Sequence, residues 1–286
     1  MERVLIAGCG YVGSALAERL VRDGHEVWGM RRNPAALPEG VRPAAADLRD
    51  PATLSALPRE LDVVFYTAAS DESSDDAYRA AYVDGPRNLL AALVEQGQRP
   101  RIVVFTSSTS VYGQRGGEWV DEASPTEPAG FGGRRMLEGE AAILGAPFRA
   151  AVLRLGGIYG PGRTSYIDRV RRGGAECPAE TTYANRIHRD DCAGALRHLM
   201  LLDAPEPIYL GVDRDPADAC DVLHWLAARL EGPAPIRAAS GTGPVRTRSN
   251  KRCRGDRLAA SGYDFIYPTF REGFAALLTP PERTSS

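Results

Sequence analysis

The sequence predicts an α/β fold: a doubly wound, parallel sheet of about seven strands with a small C-terminal lobe. Three observations lead there. Short apolar runs alternate with helical segments from the first residues to beyond residue 200. The first run ends directly in a glycine-rich turn, Gly8-Cys9-Gly10-Tyr11-Val12-Gly13, and that turn opens a helix. Proline and glycine then become denser after residue 157, where the alternation loosens.

Taken in order, residues 4–7 (Val-Leu-Ile-Ala) form a continuous apolar run, the pattern of a strand covered on both faces. Residues 14–22 follow with helical spacing, Leu16 and Leu20 falling on one face. Gly24 and His25 turn the chain into a second strand at 26–30, and the third and fourth are expected at 41–47 and 61–67. A long helix at 76–96 carries Leu89, Leu90 and Leu93. The fifth, sixth and seventh strands are expected at 101–106, 149–155 and 208–212. Strands separated by helices need crossover connections, which makes the sheet parallel.

Composition narrows the classes. A chain of 286 residues can bury a sizeable core, and 43% hydrophobic with 25% charged residues is ordinary for a globular protein. The net charge of −2 gives no field that would draw the chain to nucleic acid or to a membrane surface. No apolar run reaches transmembrane length, and the N-terminus runs into the glycine turn without a signal-peptide pattern. The cysteines (Cys9, Cys177, Cys192, Cys220 and Cys253) are odd in number and scattered, with no CxxC. They read as reduced thiols in a cytoplasmic protein, with no metal site expected. Lysine occurs once, at Lys251, so nearly every basic residue is arginine.

The glycine turn carries the first chemical reading. Strand, glycine loop and helix occur in the order that a dinucleotide-binding, Rossmann-type fold requires. Gly8 allows the tight turn, Gly10 lets a pyrophosphate approach the backbone past Tyr11 and Val12, and Gly13 lets the helix pack closely on the strand. The helix N-terminus then stabilises the phosphate charge. Residues 1–156 are therefore expected to form the dinucleotide-binding domain, and 157–286 a smaller substrate lobe interleaved with the last strand (207–212).

Cofactor choice is read at the end of the second strand, where an NAD site places a carboxylate for the ribose hydroxyls. Here the chain has Arg31-Arg32. A guanidinium pairs with a 2′-phosphate and stacks on adenine, so NADP is expected over NAD; the plain alternative is a solvated pair in an arginine-rich chain. Asp47 and Leu48, after the third strand, are placed to meet the adenine, although an aspartate there also suits a strand-end turn.

Later motifs add a family resemblance. After the fifth strand comes Thr106-Ser107-Ser108-Thr109-Ser110-Val111-Tyr112-Gly113, and after the sixth Arg154-Leu155-Gly156-Gly157-Ile158-Tyr159-Gly160-Pro161-Gly162-Arg163. Further on stands Asn185-Arg186-Ile187-His188-Arg189-Asp190-Asp191. With the glycine loop, these resemble the extended short-chain dehydrogenase/reductases, and more narrowly the NAD-dependent epimerase/dehydratase superfamily, over nearly the whole chain. The resemblance implies that Ser108 hydrogen-bonds a reacting carbonyl or alcohol. It implies that Ala68 and Ala69 lie along the cofactor, and that Ile158, Tyr159 and Pro161 lie beside the nicotinamide. Asn185, Arg186 and His188 match a stretch that lines the substrate pocket; a structural role for His188 is the equal alternative.

One departure stands out. The family's YxxxK pair falls on Phe131 and Arg135. Arg135 can still donate to ribose hydroxyls, but phenylalanine has no proton to give, and that transfer is typically worth about 10²–10⁴ in rate. Either another group supplies the proton (Tyr112, Tyr159, His188 or a water held by Ser108), or the reaction needs none, or cofactor is bound without turnover. The expected function is an atypical NADP(H)-dependent oxidoreductase acting on a small or sugar-like carbonyl, alcohol or imine. The alternatives are a non-catalytic NADP-binding sensor or scaffold, and an epimerase or dehydratase that retains its cofactor. A small-molecule substrate is the expected partner, with homodimerisation through the helix at 76–96 and the helix after Phe131, as the resemblance implies. The basic stretch Arg246, Arg248, Lys251, Arg252, Arg254 and Arg257 reads as a solvated loop, too poor in aromatics for a nucleic-acid site.

Overall fold

A computed structural model describes residues 1–238 and 249–279. Its centre is a parallel sheet of β1 (Arg3–Ala7), β2 (Glu26–Arg31), β3 (Arg42–Ala45), β4 (Val63–Tyr66), β5 (Ile102–Ser108), β6 (Ala150–Leu155) and β7 (Ile208–Gly211). The spatial order is β7-β6-β5-β4-β1-β2-β3, so the winding reverses between β1 and β4. The helices are α1 (Tyr11–Arg22), α2 (Asp75–Arg79), α3 (Gly85–Glu95), α4 (Phe131–Leu144), α5 (Ser165–Arg171), α6 (Arg189–Leu201), α7 (Ala219–Arg229), α8 (Asp256–Ala260) and α9 (Phe270–Leu278). The doubly wound, seven-stranded α/β fold expected from the sequence is the one observed.

The apolar run of β1 is continuous because it is covered on both sides. Val4 and Ile6 pack with Leu16 and Leu20 of α1 and with Leu196 and Leu199 of α6. Leu5 and Ala7 face Leu89 and Leu93 of α3 and Ile143 of α4 on the other side. Burying each such leucine stabilises the fold by about 1.5–3 kcal/mol. β3 is shorter than the expected 41–47 and sits at the sheet edge, where Pro43 removes no ladder bond that a neighbour needs.

The helix expected at 76–96 is interrupted by a π turn, Ala80–Asp84. Pro86 stands in the first turn of α3 and has no N–H to continue the ladder. The buried Tyr66 phenol donates to the freed Ala81 carbonyl at 2.5 Å. Gly139 of α4 allows the Tyr82 carbonyl to approach, since a Cβ there would lie 2.1 Å from that oxygen.

Three short parallel pairs lie outside the central sheet: Gly157–Tyr159 with Arg186–His188, Glu118–Val120, which precedes β6 in the chain, with Lys251–Cys253, and Glu176–Cys177 with Ile236–Arg237. Ile167 of α5, Leu223 and Leu226 of α7 and Phe270 and Phe274 of α9 form the core of the C-terminal lobe. α6 packs on α1 and β7 pairs with β6, so both belong to the layers of the central sheet. Arg246 and Arg248 lie outside the described residues. Among the described residues, no helix is long and apolar enough to cross a membrane.

The cysteines require a correction. All five were expected as free thiols, but Cys177 and Cys220 are disulfide-bonded, with Cα atoms 4.8 Å apart. Packing of the Glu176–Cys177 strand on the first turn of α7 brings them together across 43 residues of sequence, a proximity that spacing alone does not reveal. Cys9, Cys192 and Cys253 remain free and buried. His224 stands beside the disulfide, one turn further along α7, but the bonded sulfurs offer no thiolate to a metal. Cys177→Ser/Cys220→Ser should lower unfolding stability by about 2–4 kcal/mol under non-reducing conditions, the usual effect of a cross-link closing a loop of this size. Denaturant melts with and without dithiothreitol check this: the parent should fall to the variant's value on reduction, and equal parent curves would contradict a cross-link.

Candidate active site

A cleft of about 930 Å³ opens at the C-terminal ends of β1 to β6, where the winding reverses. Its floor is the glycine loop. Gly8 adopts φ +86°, and a Cβ there would lie 2.3 Å from the Ala68 backbone. The Thr67 hydroxyl donates to the Gly8 carbonyl at 2.9 Å, and the amides of Gly8 and Cys9 donate to the Met30 carbonyl at 3.1 and 3.0 Å. Gly10 is different: a Cβ there would meet only the Gly8 carbonyl oxygen, at 3.8 Å. The protein itself does not require glycine at 10. A side chain would instead fill the space above the first turn of α1, whose N-cap is this glycine and supplies no side-chain acceptor. Open space over uncapped amides fits a dinucleotide pyrophosphate. Gly13 lies behind the turn, against Ile6 and Thr67, while Tyr11, Val12, Ala68 and Ala69 line the cleft.

One end of the cleft is lined by Met30, Arg31, Arg32, Asp47, Leu48 and Arg49. Arg32 pairs with Asp71 at 2.7 Å. Arg31 donates to the Ala36 carbonyl at 3.3 Å. Asp47 is held by both Nε and Nη2 of Arg49, and this hydrogen bonding lowers its pKa to about 2. Three guanidinium groups and two carboxylates therefore share this end.

The other end is lined by Thr106, Ser107, Ser108, Met136, Leu155, Gly156, Ile158, Arg163 and Tyr78. The Ser108 hydroxyl accepts from the Ser110 amide at 3.1 Å, which caps the turn after β5 and fixes the side chain at the sheet end. Behind it lies a buried ionic network. Arg154 donates to both oxygens of Glu140 at 2.9 and 2.7 Å, and Ser107 donates to the same carboxylate at 2.6 Å. Arg154 also donates to the Tyr112 hydroxyl at 2.7 Å. Tyr112 is fully buried, and that burial pushes its pKa up to about 12 against the pull of Arg154. It faces this network and is absent from the cleft lining.

The remaining sequence-selected residues lie outside the cleft lining. Phe131 starts α4 and meets Tyr78 edge-on, with ring centroids 5.3 Å apart. Arg135 is turned to Asp75, at 2.8 and 2.9 Å, and to Glu138 at 2.7 Å. Asn185 joins the lobe strands, donating to the Lys251 carbonyl and accepting from the Cys253 amide. Tyr159, Arg186 and His188 are buried beside Asp213, and each of the four carries a buried polar atom without a partner among the described residues. His188 accepts from the Asp190 amide through Nδ1, and burial lowers its pKa to about 4 although Asp190 opposes this.

Glu140, Asp213, Arg49, Asp71 and Tyr78 were not selected from the sequence. Glu140 had left a signal: it shares a helix face with Met136 and Ile143, while Arg154 interrupts an apolar strand, so two buried charges called for each other. Asp213 gives the clearest pH dependence. Burial pushes its carboxyl up to about 8. An unfolded aspartate ionises near pH 3.9, so from about pH 4 to pH 8 the folded state keeps a proton that the unfolded state has lost. Its contribution to stability is fully present below about pH 4 and is lost as pH rises through about 8. Asp213→Asn should therefore raise Tm relative to the parent much more at about pH 8.5 than at about pH 5; a difference independent of pH would contradict a buried, protonated carboxyl.

The comparisons with known proteins agree with this architecture. A family model described as the NAD dependent epimerase/dehydratase family matches residues 4–173. Protein YeeZ of Escherichia coli (strain K12) is 30% identical over 282 residues, spanning 94% of this chain and 97% of its own. A solved structure from Methylobacillus flagellatus, described as an NAD-dependent epimerase/dehydratase, is 40% identical, with a TM-score of 0.82 over 97% of both chains. Human epimerase family protein SDR39U1, solved with NADPH, is alike in fold, at 22% identity and a TM-score of 0.78 over 96% of this chain and 98% of its own. With the glycine loop, the serine turn after β5 and the segment after β6 gathered at one end of the sheet, this chain belongs to the NAD-dependent epimerase/dehydratase family.

Proposed function

We propose that the protein is an NADP(H)-dependent oxidoreductase acting on a small or sugar-like carbonyl, alcohol or imine. A bound nicotinamide supplies or accepts hydride at the substrate carbon. Gly8, Gly10, Tyr11 and Val12 would hold the pyrophosphate over α1, with Ala68 and Ala69 along the cofactor. Leu48 and Asp47 would flank the adenine, and Ser108 would orient the reacting oxygen.

The observation that supports NADP is the charge at the end of β2. Arg31 and Arg32 line the cleft where a carboxylate would otherwise take the ribose hydroxyls, and Arg49 lines it beside them. The engagement of Arg135 with Asp75 and Glu138 favours a second reading, a non-catalytic NADP-binding sensor, because it leaves the ribose without the family's usual cation. Exposed Val94 of α3 and Leu144 of α4 support pairing of two copies through these helices.

Titration by nicotinamide fluorescence tests the cofactor reading. NADPH should bind about ten- to a hundredfold more tightly than NADH, the scale of a charge-assisted pair to phosphate, and Arg31→Asp should abolish or reverse the preference. Equal affinities in the parent would overturn NADP selectivity. If neither nucleotide binds, the glycine loop is a scaffold and the enzyme reading is removed.

A further inference from the structure

The proton source missing at Phe131 can be sought among the groups that reach the cleft. Tyr112 faces the Arg154 network, while Tyr159 and His188 are packed among Phe274 and Tyr267. Four other phenols line the cleft: Tyr11, Tyr66, Tyr78 and Tyr82. Tyr11 donates to the Pro161 carbonyl at 2.9 Å and Tyr66 to the Ala81 carbonyl. The Tyr82 hydroxyl accepts from the Ser70 amide at 3.2 Å. The Tyr78 hydroxyl forms no hydrogen bond among the described residues.

Tyr78 is also the phenol that touches the vacated position. Its ring stands edge-on to Phe131 at 5.3 Å, and a Cβ on the adjacent Gly132 would come within 3.1 Å of it. Glycine at 132 thus leaves room for the Tyr78 ring at the start of α4. Two features fix the backbone that carries the ring. Arg135 ties α4 to Asp75, one turn before Tyr78, through two hydrogen bonds. The π turn begins two residues after Tyr78, and its extra residue rotates α2 relative to α3 by about 100° from the register of an uninterrupted helix. Local rearrangements of this kind are frequent at functional sites.

We propose that Tyr78 is the catalytic acid/base of this protein, delivering from α2 the phenol that the family's pattern places at position 131. The proposal rests on the oxidoreductase reading. In the reducing direction, the carbonyl carbon takes up hydride from the bound cofactor while the carbonyl oxygen takes the proton of the Tyr78 hydroxyl. The carbonyl π pair becomes the new O–H bond. The phenolate left on Tyr78 regains a proton from water in the open cleft, and the oxidised cofactor carries away the charge balance. In the oxidising direction, Tyr78 removes the alcohol proton. Phe131 serves as the apolar wall that holds the ring, and the Asp75–Arg135 pair positions it.

The test uses the full chain, its Tyr78→Phe variant, and that variant with Phe131→Tyr added. Each is titrated with NADPH by nicotinamide fluorescence. Each is then assayed by NADPH oxidation with 9,10-phenanthrenequinone, ethyl acetoacetate and D-erythrose. Tyr78→Phe should keep NADPH affinity within about threefold and lose kcat by about 10²–10⁴, with the pH dependence of the residual rate flattened. Adding Phe131→Tyr should recover at least about tenfold of that loss, because the restored phenol stands against the same ring. The proposal is overturned if Tyr78→Phe keeps kcat within about threefold, or if its loss is matched by lost NADPH affinity, which would mark a structural role. A parent that binds NADPH and reduces none of the three probes removes the oxidoreductase reading, and Tyr78 with it. A parent that turns over while the variant is unchanged removes Tyr78 alone.

Discussion

Arg154 lies in the middle of a buried strand, and a guanidinium there is tolerable only if its donors are met. Glu140 meets three of the requirements at once: opposite charge, two acceptor oxygens, and a rigid helical backbone that presents them at 2.7 and 2.9 Å. Both side chains are only 4% exposed, so removing either partner would strand a buried charge, a defect that costs about 3–5 kcal/mol. The position of the pair matters more than its net energy. It joins β6 to α4, takes a hydrogen bond from Ser107 at the end of β5, and holds the Tyr112 hydroxyl. Ser108 is the next residue after Ser107, and Phe131 and Arg135 belong to the helix that carries Glu140. Serine turn and helix start are thus located relative to each other from behind, by Arg154 and Glu140, which are absent from the cleft lining.

This arrangement explains why some of the site could be read from the chain and some could not. The glycine loop was legible because its constraints are local. Gly8 needs a left-handed backbone and close contact with Ala68, and a strand and a helix flank it in sequence. The sheet was legible because β1 and β5 are covered on both faces and read as unbroken apolar runs. Tyr112 was singled out by the company it keeps in the motif, yet what determines its role is Arg154, forty-two residues away. The disulfide is the same kind of case: Cys177 and Cys220 have no sequence relationship that distinguishes them from Cys192 or Cys253.

The helix at 75–95 shows a finer limit. Its apolar spacing indicates one continuous element, and the Gly85-Pro86 pair is the local sign of trouble. The resulting π turn depends on Tyr66 from β4 donating to Ala81 and on Gly139 of α4 giving way to the Tyr82 carbonyl. Each is a tertiary contact. Tyr78, just upstream, therefore takes its place in the cleft lining through contacts that β4 and α4 make with the turn after it. A search for a missing tyrosine among residues adjacent to known motifs would pass it by.

The charge at the far end of the cleft bears on how a cofactor would enter. Arg32 and Asp71 are paired at 2.7 Å, but their side chains are 53% and 61% exposed, and such surface pairs contribute only about 0–1 kcal/mol. Asp47 and Arg49 hold each other at both Nε and Nη2, with the carboxyl pKa lowered to about 2. The two pairs should not respond alike to an arriving phosphate. Arg32 can exchange Asp71 for a more highly charged oxyanion with little loss, whereas releasing the Arg49 guanidinium would leave the Asp47 carboxylate with the Arg49 backbone amide, a neutral donor, in place of two charged ones. On the NADP reading, Arg31 and Arg32 would then receive the 2′-phosphate, and the Asp47–Arg49 pair would stay closed as the wall against which the adenine lies. Selectivity would come from the weak pair because it is the one that can open.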